Sequence, residues 1–165
     1  MAVIDYLRAE LIGDFLTSRN GLNVPVGNLG IPRSAMPQIK DFKRFEDDLK
    51  AFDAKVIQNK RVRVGDIKLT QNEINKDKVF KLMIQYRKKN IRTRGGVDID
   101  GFPPVISSDH FVLDGTHRHV AMLNIAKNSY HNYTMIDMPI RELYDVIKDN
   151  PEHFRKSVEY KRLVD

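Results

Sequence analysis

Between two apolar runs, residues 110–122 (HFVLDGTHRHVAM) gather Asp114, Gly115, Thr116, His117, Arg118 and His119. The cluster falls where the pattern changes from strand to helix. The first amides of a helix lack internal partners, and the helix dipole adds partial positive charge there. Gly115 allows a tight turn and close approach of an anion. Thr116 supplies a hydroxyl, and His117 and Arg118 add donors, the guanidinium matching a phosphate fork. Together they make a phosphate seat.

Other chemistries compete for these residues. A zinc site built on His117 and His119 is disfavoured, because helical residues two apart do not face each other. His110 and His131 would have to complete it from elsewhere. Thr116 as a nucleophile with His117 as its base is awkward between chain neighbours. The plainest alternative stands level with the phosphate seat: Asp114 and Thr116 cap the helix while the basic residues face solvent.

Composition narrows the classes. The chain has 165 residues, 41% hydrophobic and 30% charged, enough for one packed domain. It has no cysteine, which removes disulfides, thiolate metal sites and cysteine nucleophiles and suits a cytoplasmic setting. Its apolar runs are too short for a bilayer, and the acidic residues within residues 1–16 do not fit a signal peptide. The net charge of +6 concentrates in residues 58–65 (QNKRVRVG) and 86–96 (YRKKNIRTRGG). A solvated basic surface is the bland reading. The clustering favours a polyanion, with Arg61, Arg63, Arg87, Lys88, Lys89, Arg92 and Arg94 as contacts. Tyr86, Tyr130, His131 and Tyr133 offer stacking faces beside them.

The elements that must position the cluster follow from periodicity. Ile4, Leu7, Leu11 and Phe15 predict an amphipathic helix over 3–17. Residues 17–40, with three prolines, form a long irregular segment of a kind that is often functional. Asp41 caps a helix bearing Phe42, Phe45, Leu49 and Phe52. Then come a strand within 60–71, an Asn75-capped helix over 75–89, two short strands at 105–107 and 111–113 joined at Ser108–Asp109, and a helix over 116–128. A strand at 133–139, a helix over 140–150 closed by Asn150-Pro151, and a charged terminal helix or tail complete the chain. The expected fold is α/β (α+β): a helical N-terminal extension over 1–57 and a core over 58–165, packed as one unit.

The run over 103–123, PPVISSDHFVLDGTHRHVAML, resembles the signature of the ParB/sulfiredoxin superfamily. There, a Pro-Val/Ile-Val strand leads through a turn and a second strand to Asp-Gly-His-His-Arg or a variant, then to an Ala-containing helix. Residues 62–83 (VRVGDIKLTQNEINKDKVFKLM) are similar to the family's earlier box, and the two boxes fall in the family's order. The resemblance covers residues 62–127 and implies a small mixed sheet with flanking helices. In sulfiredoxins the turn carries a reacting cysteine; Thr116 stands at that position here, which removes sulfinic-acid reduction. The chromosome-partition branch binds a cytidine nucleotide through a Gly-Glu-Arg-Arg turn and needs a helix-turn-helix domain besides. The nearest turn is that of the free-serine-kinase branch.

That branch implies transfer of a nucleotide phosphate to a hydroxyl, with ATP or another nucleoside triphosphate or diphosphate and Mg2+. The seat would be Gly115, Thr116, His117, Arg118 and Gln71. Glu73, in KLTQNEIN (68–75), is the expected base, with Asp114 and His117 completing the catalytic set. Its plain reading is a loop glutamate welcome near a helix start. Asp114 has a structural role available, holding the turn, or contact with a Mg2+ bridging phosphates. Asp109 is expected to be a turn residue.

Residues 29–40 (LGIPRSAMPQIK) carry Arg33 and Gln38 as donors and Ile31, Met36 and Ile39 as anchors. Expected beside the active face, the segment is either a structural wrap or a clamp with Arg33 on a phosphate. The basic stretches suggest a larger anionic acceptor, such as a hydroxymethylated pyrimidine in DNA modified by a phage enzyme. Two rivals remain: a ParB-like metal-dependent nuclease, which needs a carboxylate cluster, and a nucleotide-gated DNA-binding module without chemistry.

Overall fold

The computed structural model describes residues 9–11, 29–88, 92–93, 96–97 and 103–160. Its centre is a mixed four-stranded sheet of β3 (Val56–Arg63), β9 (Tyr130–Ile136), β7 (Val105–Ser107) and β8 (Val112–Asp114), in that order. β9 runs antiparallel to β3 and parallel to β7, and β7 and β8 form the expected hairpin.

Alternation along the strands explains the layers. Ile106, Val112, Tyr133 and Met135 pack into one core with α2 (Lys76–Lys88) and α3 (Thr116–Ala126). Their sequence neighbours Val105, Leu113 and Ile136 join a second core with α1 (Phe42–Leu49), α4 (Ile140–Asp149) and α5 (Pro151–Phe154). Successive strand side chains point to opposite faces, so a sheet apolar on both is covered on both. α3 lies deep in this arrangement, with eight of its eleven residues buried.

Local signals set the helix starts. Asp41 Oδ1 accepts from the Arg44 amide at 3.1 Å, and Asn75 Oδ1 from the Lys78 amide at 3.0 Å. Pro151 opens α5 directly after Asn150. In the β7–β8 turn, Asp109 accepts from the Ser107 hydroxyl and from the Ile140 amide at 2.9 Å, tying the hairpin to the start of α4.

The segment before α1 is a strap along the sheet edge. Residues 67–71 run beside β8, with the Val112 amide donating to Lys68 O and the Thr70 hydroxyl to Val112 O. Beyond them the amides of Leu29 and Ile31 donate to Thr70 O. Pro37–Ile39 (β2) then pairs antiparallel with β10 (Val158–Tyr160), and the Tyr144 hydroxyl donates to Ala35 O. The strap therefore packs beside the Gly115 turn.

Four expectations need correction. Ala9–Leu11 (β1) is a strand paired antiparallel with β4 (Glu73–Asn75), not part of a helix over 3–17; pairing with the open backbone of β4 overrides the local helical periodicity there. The remainder of 3–17 lies outside the described residues. The strand expected within 60–71 is β3, which starts at Val56 and ends at Arg63, where Val64–Asp66 form a short 3-10 turn. The strand expected from Tyr133 starts at Tyr130. The terminal segment is the short α5, a turn and β10, because the strap offers it an edge. Two further hairpin strands, β5 (Arg92–Thr93) and β6 (Gly96–Val97), pair with each other, and β6 lies against β9 and α3. No helix among the described residues is long and apolar enough to cross a membrane.

Candidate functional site: a cationic cavity at the start of α3

β8 ends at Asp114, and the chain reverses at Gly115 with φ 94° and ψ 28°, a left-handed conformation that favours glycine. A β-carbon there would lie 3.0 Å from Pro104 Cα and 3.0 Å from Arg118 Nη2. Gly115 itself holds the N-cap position of α3. The expectation that Asp114 and Thr116 cap this helix is therefore corrected: Asp114 precedes the turn and Thr116 already lies inside the helix.

In front of this turn is a cavity of about 190 Å3 lined by Gln38, Gln71, Lys78, Leu82 and the run Leu113–Arg118. Its walls come from the strap, the segment after β3, the first turns of α2 and the β8–α3 turn. The fold thus brings together Gln71, Asp114, Gly115, Thr116, His117 and Arg118 from the expected set. Small-molecule pockets are commonly about 300–1,000 Å3. This one is smaller, the size of a small polar group.

His117 departs from its expected catalytic role. Its ring is buried, and Nε2 accepts from the Asn75 amide at 2.8 Å. Burial first, then the nearby charges of Lys78 and Arg33, pushes its pKa from 6.5 down to about 3. The imidazole is neutral, and its accepting nitrogen is occupied by backbone. It joins α3 to the start of α2, a positioning contact that uses Nε2. His119, the other half of a hypothetical zinc pair, is fully buried, with Nδ1 3.4 Å from the Tyr133 hydroxyl. Burial lowers its pKa to about 4. Among the described residues no group of three His, Asp or Glu side chains is arranged to hold a metal ion.

The carboxylates are tethered. Asp114 Oδ2 accepts from the Ile39 amide at 3.0 Å, fastening the strap across the turn. Glu73, half-buried on β4, has Oε1 3.4 Å from the Arg33 amide, and Gln71 Nε2 donates to Glu73 O at 2.6 Å. Glu73 and the buried Arg33 stand beside the cavity without being among its lining residues.

Lys78 is the residue that sequence reasoning passed over. Its signal was present: a cation in the first turn of a helix opposes the dipole, and such locally unfavourable choices concentrate at functional sites. Folding brings it into the lining of the same cavity as Arg118.

The expected nucleic-acid contacts divide. Arg61 is exposed, with its guanidinium 5.5 Å from the centroid of the exposed Tyr130 ring. Arg63 contacts Asp66 Oδ1 at 3.0 Å and Asn128 Oδ1 at 2.6 Å. The side chains of Arg87, Lys88 and Arg92, and the residues Lys89 and Arg94, lie outside the described set. Tyr86 and Tyr133 are corrected as stacking faces, because both rings are buried in the core around α2 and α3.

No protein-family model, curated protein or solved structure matches this chain.

Proposed function

We propose that this chain is a nucleotide-dependent phosphotransferase that moves a phosphate to a hydroxyl acceptor. The observation that carries this reading is the cavity at the α3 start, which Gly115, Thr116, Arg118 and Lys78 line together. The start of a helix, a hydroxyl and two cations in one small cleft favour a tetrahedral dianion. Gly115 leaves this surface bare where a β-carbon would crowd Arg118. Arg118 and Lys78 hold phosphate oxygens and neutralise charge that grows during transfer. Asp114 on the cavity wall fits a Mg2+ that needs one or two protein carboxylates and otherwise binds phosphates; such an ion would supply further charge neutralisation. Glu73 takes the acceptor proton. What supports it is a half-buried carboxylate on β4, on a residue whose backbone carbonyl accepts from the cavity residue Gln71. The hydroxymethyl group of a modified pyrimidine in DNA is one acceptor consistent with the charged surface.

The test is transfer of label from γ-labelled ATP, with Mg2+, to hydroxymethylated DNA or to small hydroxylic metabolites. Label on an acceptor is the expected result. Absence of both nucleotide binding and consumption would overturn the reading. A second reading, nucleotide binding without chemistry, is favoured by the position of Glu73 outside the cavity lining; it predicts binding with no transfer to any acceptor.

A further inference from the structure

A second surface lies at the opposite end of α3 from the phosphate seat. β3 and β9 pair Arg61 with Asn132 and Arg63 with Tyr130, so these four side chains share one face of the ribbon. Val62 and Tyr133, on the other face of the ribbon, turn into the core. The shared face is wet: Arg61 and Asn132 are exposed, and Tyr130 is 48% exposed. Leaving a large aromatic so open costs hydrophobic burial, and here its ring lies under the Arg61 guanidinium at 5.5 Å. Lys60 and Lys127 add exposed positive charge nearby, and Asp66 is held by Arg63.

The fold adds a second basic stretch. The β5–β6 hairpin contains Arg92, and its strand β6 lies against both β9 and α3. A plain solvated surface needs no aromatic platform, and a small anion needs no ribbon of this width.

We propose that the Arg61–Tyr130 face of the β3–β9 ribbon binds a single-stranded polynucleotide. An unpaired base stacks on Tyr130, while Arg61 and Lys127 neutralise the phosphodiester backbone. Stacking requires an unpaired base, since duplex bases are already stacked on each other. The eleven residues of α3, which separate the seat from this end of the ribbon, span about 16 Å. That is a few nucleotides of strand, so one polynucleotide could span both. The ribbon's binding does not depend on phosphotransfer, so either idea can fail alone.

The test is fluorescence anisotropy with labelled oligothymidylate and no added nucleotide, against a duplex of equal length and against inorganic polyphosphate as a base-free polyanion. The oligonucleotide should bind more tightly than either competitor, with affinity falling as salt rises. Tyr130→Ala should weaken binding about five- to a hundredfold, and Tyr130→Phe should keep most of it. Arg61→Ala should weaken binding and flatten the salt dependence. Thermal melts check that the exposed substitutions leave the fold intact. No binding, preference for duplex, polyphosphate binding as well as oligothymidylate, or indifference to Tyr130→Ala would each overturn the proposal.

Discussion

The Asn75 amide donates to His117 Nε2 across 2.8 Å, joining the first turn of α2 to the first turn of α3. Both helices start at the cavity, and each contributes one of its cations, Lys78 and Arg118. A single hydrogen bond thus sets the spacing of the two charges proposed to grip phosphate. It also requires a neutral imidazole, because a protonated ring has no acceptor to offer.

Stability should therefore fall on acidification. The unfolded chain protonates His117 as pH drops through 6.5, whereas the folded chain resists until about 3. The contribution is fully present above 6.5 and is lost toward 3, by about 1.4 kcal/mol per pH unit. His119 acts in the same direction down to about 4. Urea unfolding on either side of pH 6.5 measures the slope. His117→Gln, which keeps an acceptor without titrating, should make it shallower; an unchanged slope would show that His117 is not its source.

Gly115→Ala should destabilise the fold by about 1–3 kcal/mol through its left-handed backbone alone, with added cost from the Pro104 contact at 3.0 Å. Gly30 also has positive φ but has no atom within 4 Å of a would-be β-carbon. Gly30→Ala should thus cost less, and chemical denaturation of the pair isolates the steric part. Equal losses would deny any close approach at Gly115.

Lys78→Ala and Arg118→Ala should each weaken nucleotide affinity about 10- to 100-fold, the range of a lost charge-assisted hydrogen bond. Calorimetric titration at fixed ionic strength measures this. Removal of Lys78 without effect would leave the seat one-sided and would reject the cavity as the phosphate site.

Glu73→Gln should lower turnover about 10²- to 10⁴-fold, the usual contribution of a general base, while nucleotide affinity stays within a few-fold. A variant as active as the parent protein would move the proton acceptor elsewhere, with Asp114 next in line because it lines the cavity.

Much of the local structure was legible because nearby residues decide it. The Asp41 and Asn75 caps, the hairpin around Ser108–Asp109 and the strand–Gly115–helix junction each depend on a few neighbours and on backbone preferences that side-chain type reveals. The periodicity around Leu11 misled, because pairing with β4 is a long-range event that no local pattern contains. Tyr86 and Tyr130 both sit beside basic residues in the chain; only the sheet and helix faces decide that one is buried and the other open.

By itself, the sequence determined the chemistry available: no thiol, a glycine turn, a Thr-His-Arg helix start and an excess of positive charge. Tertiary structure decided how these are used. It closed His117 into a backbone hydrogen bond, tethered Asp114 to the strap, brought Lys78 and Arg118 to one cavity and left Glu73 at the cavity's side. The physical reason is range. Turn and cap preferences act over a few residues, whereas burial, charge proximity and cavity shape depend on segments that meet only when the sheet and both its layers have assembled.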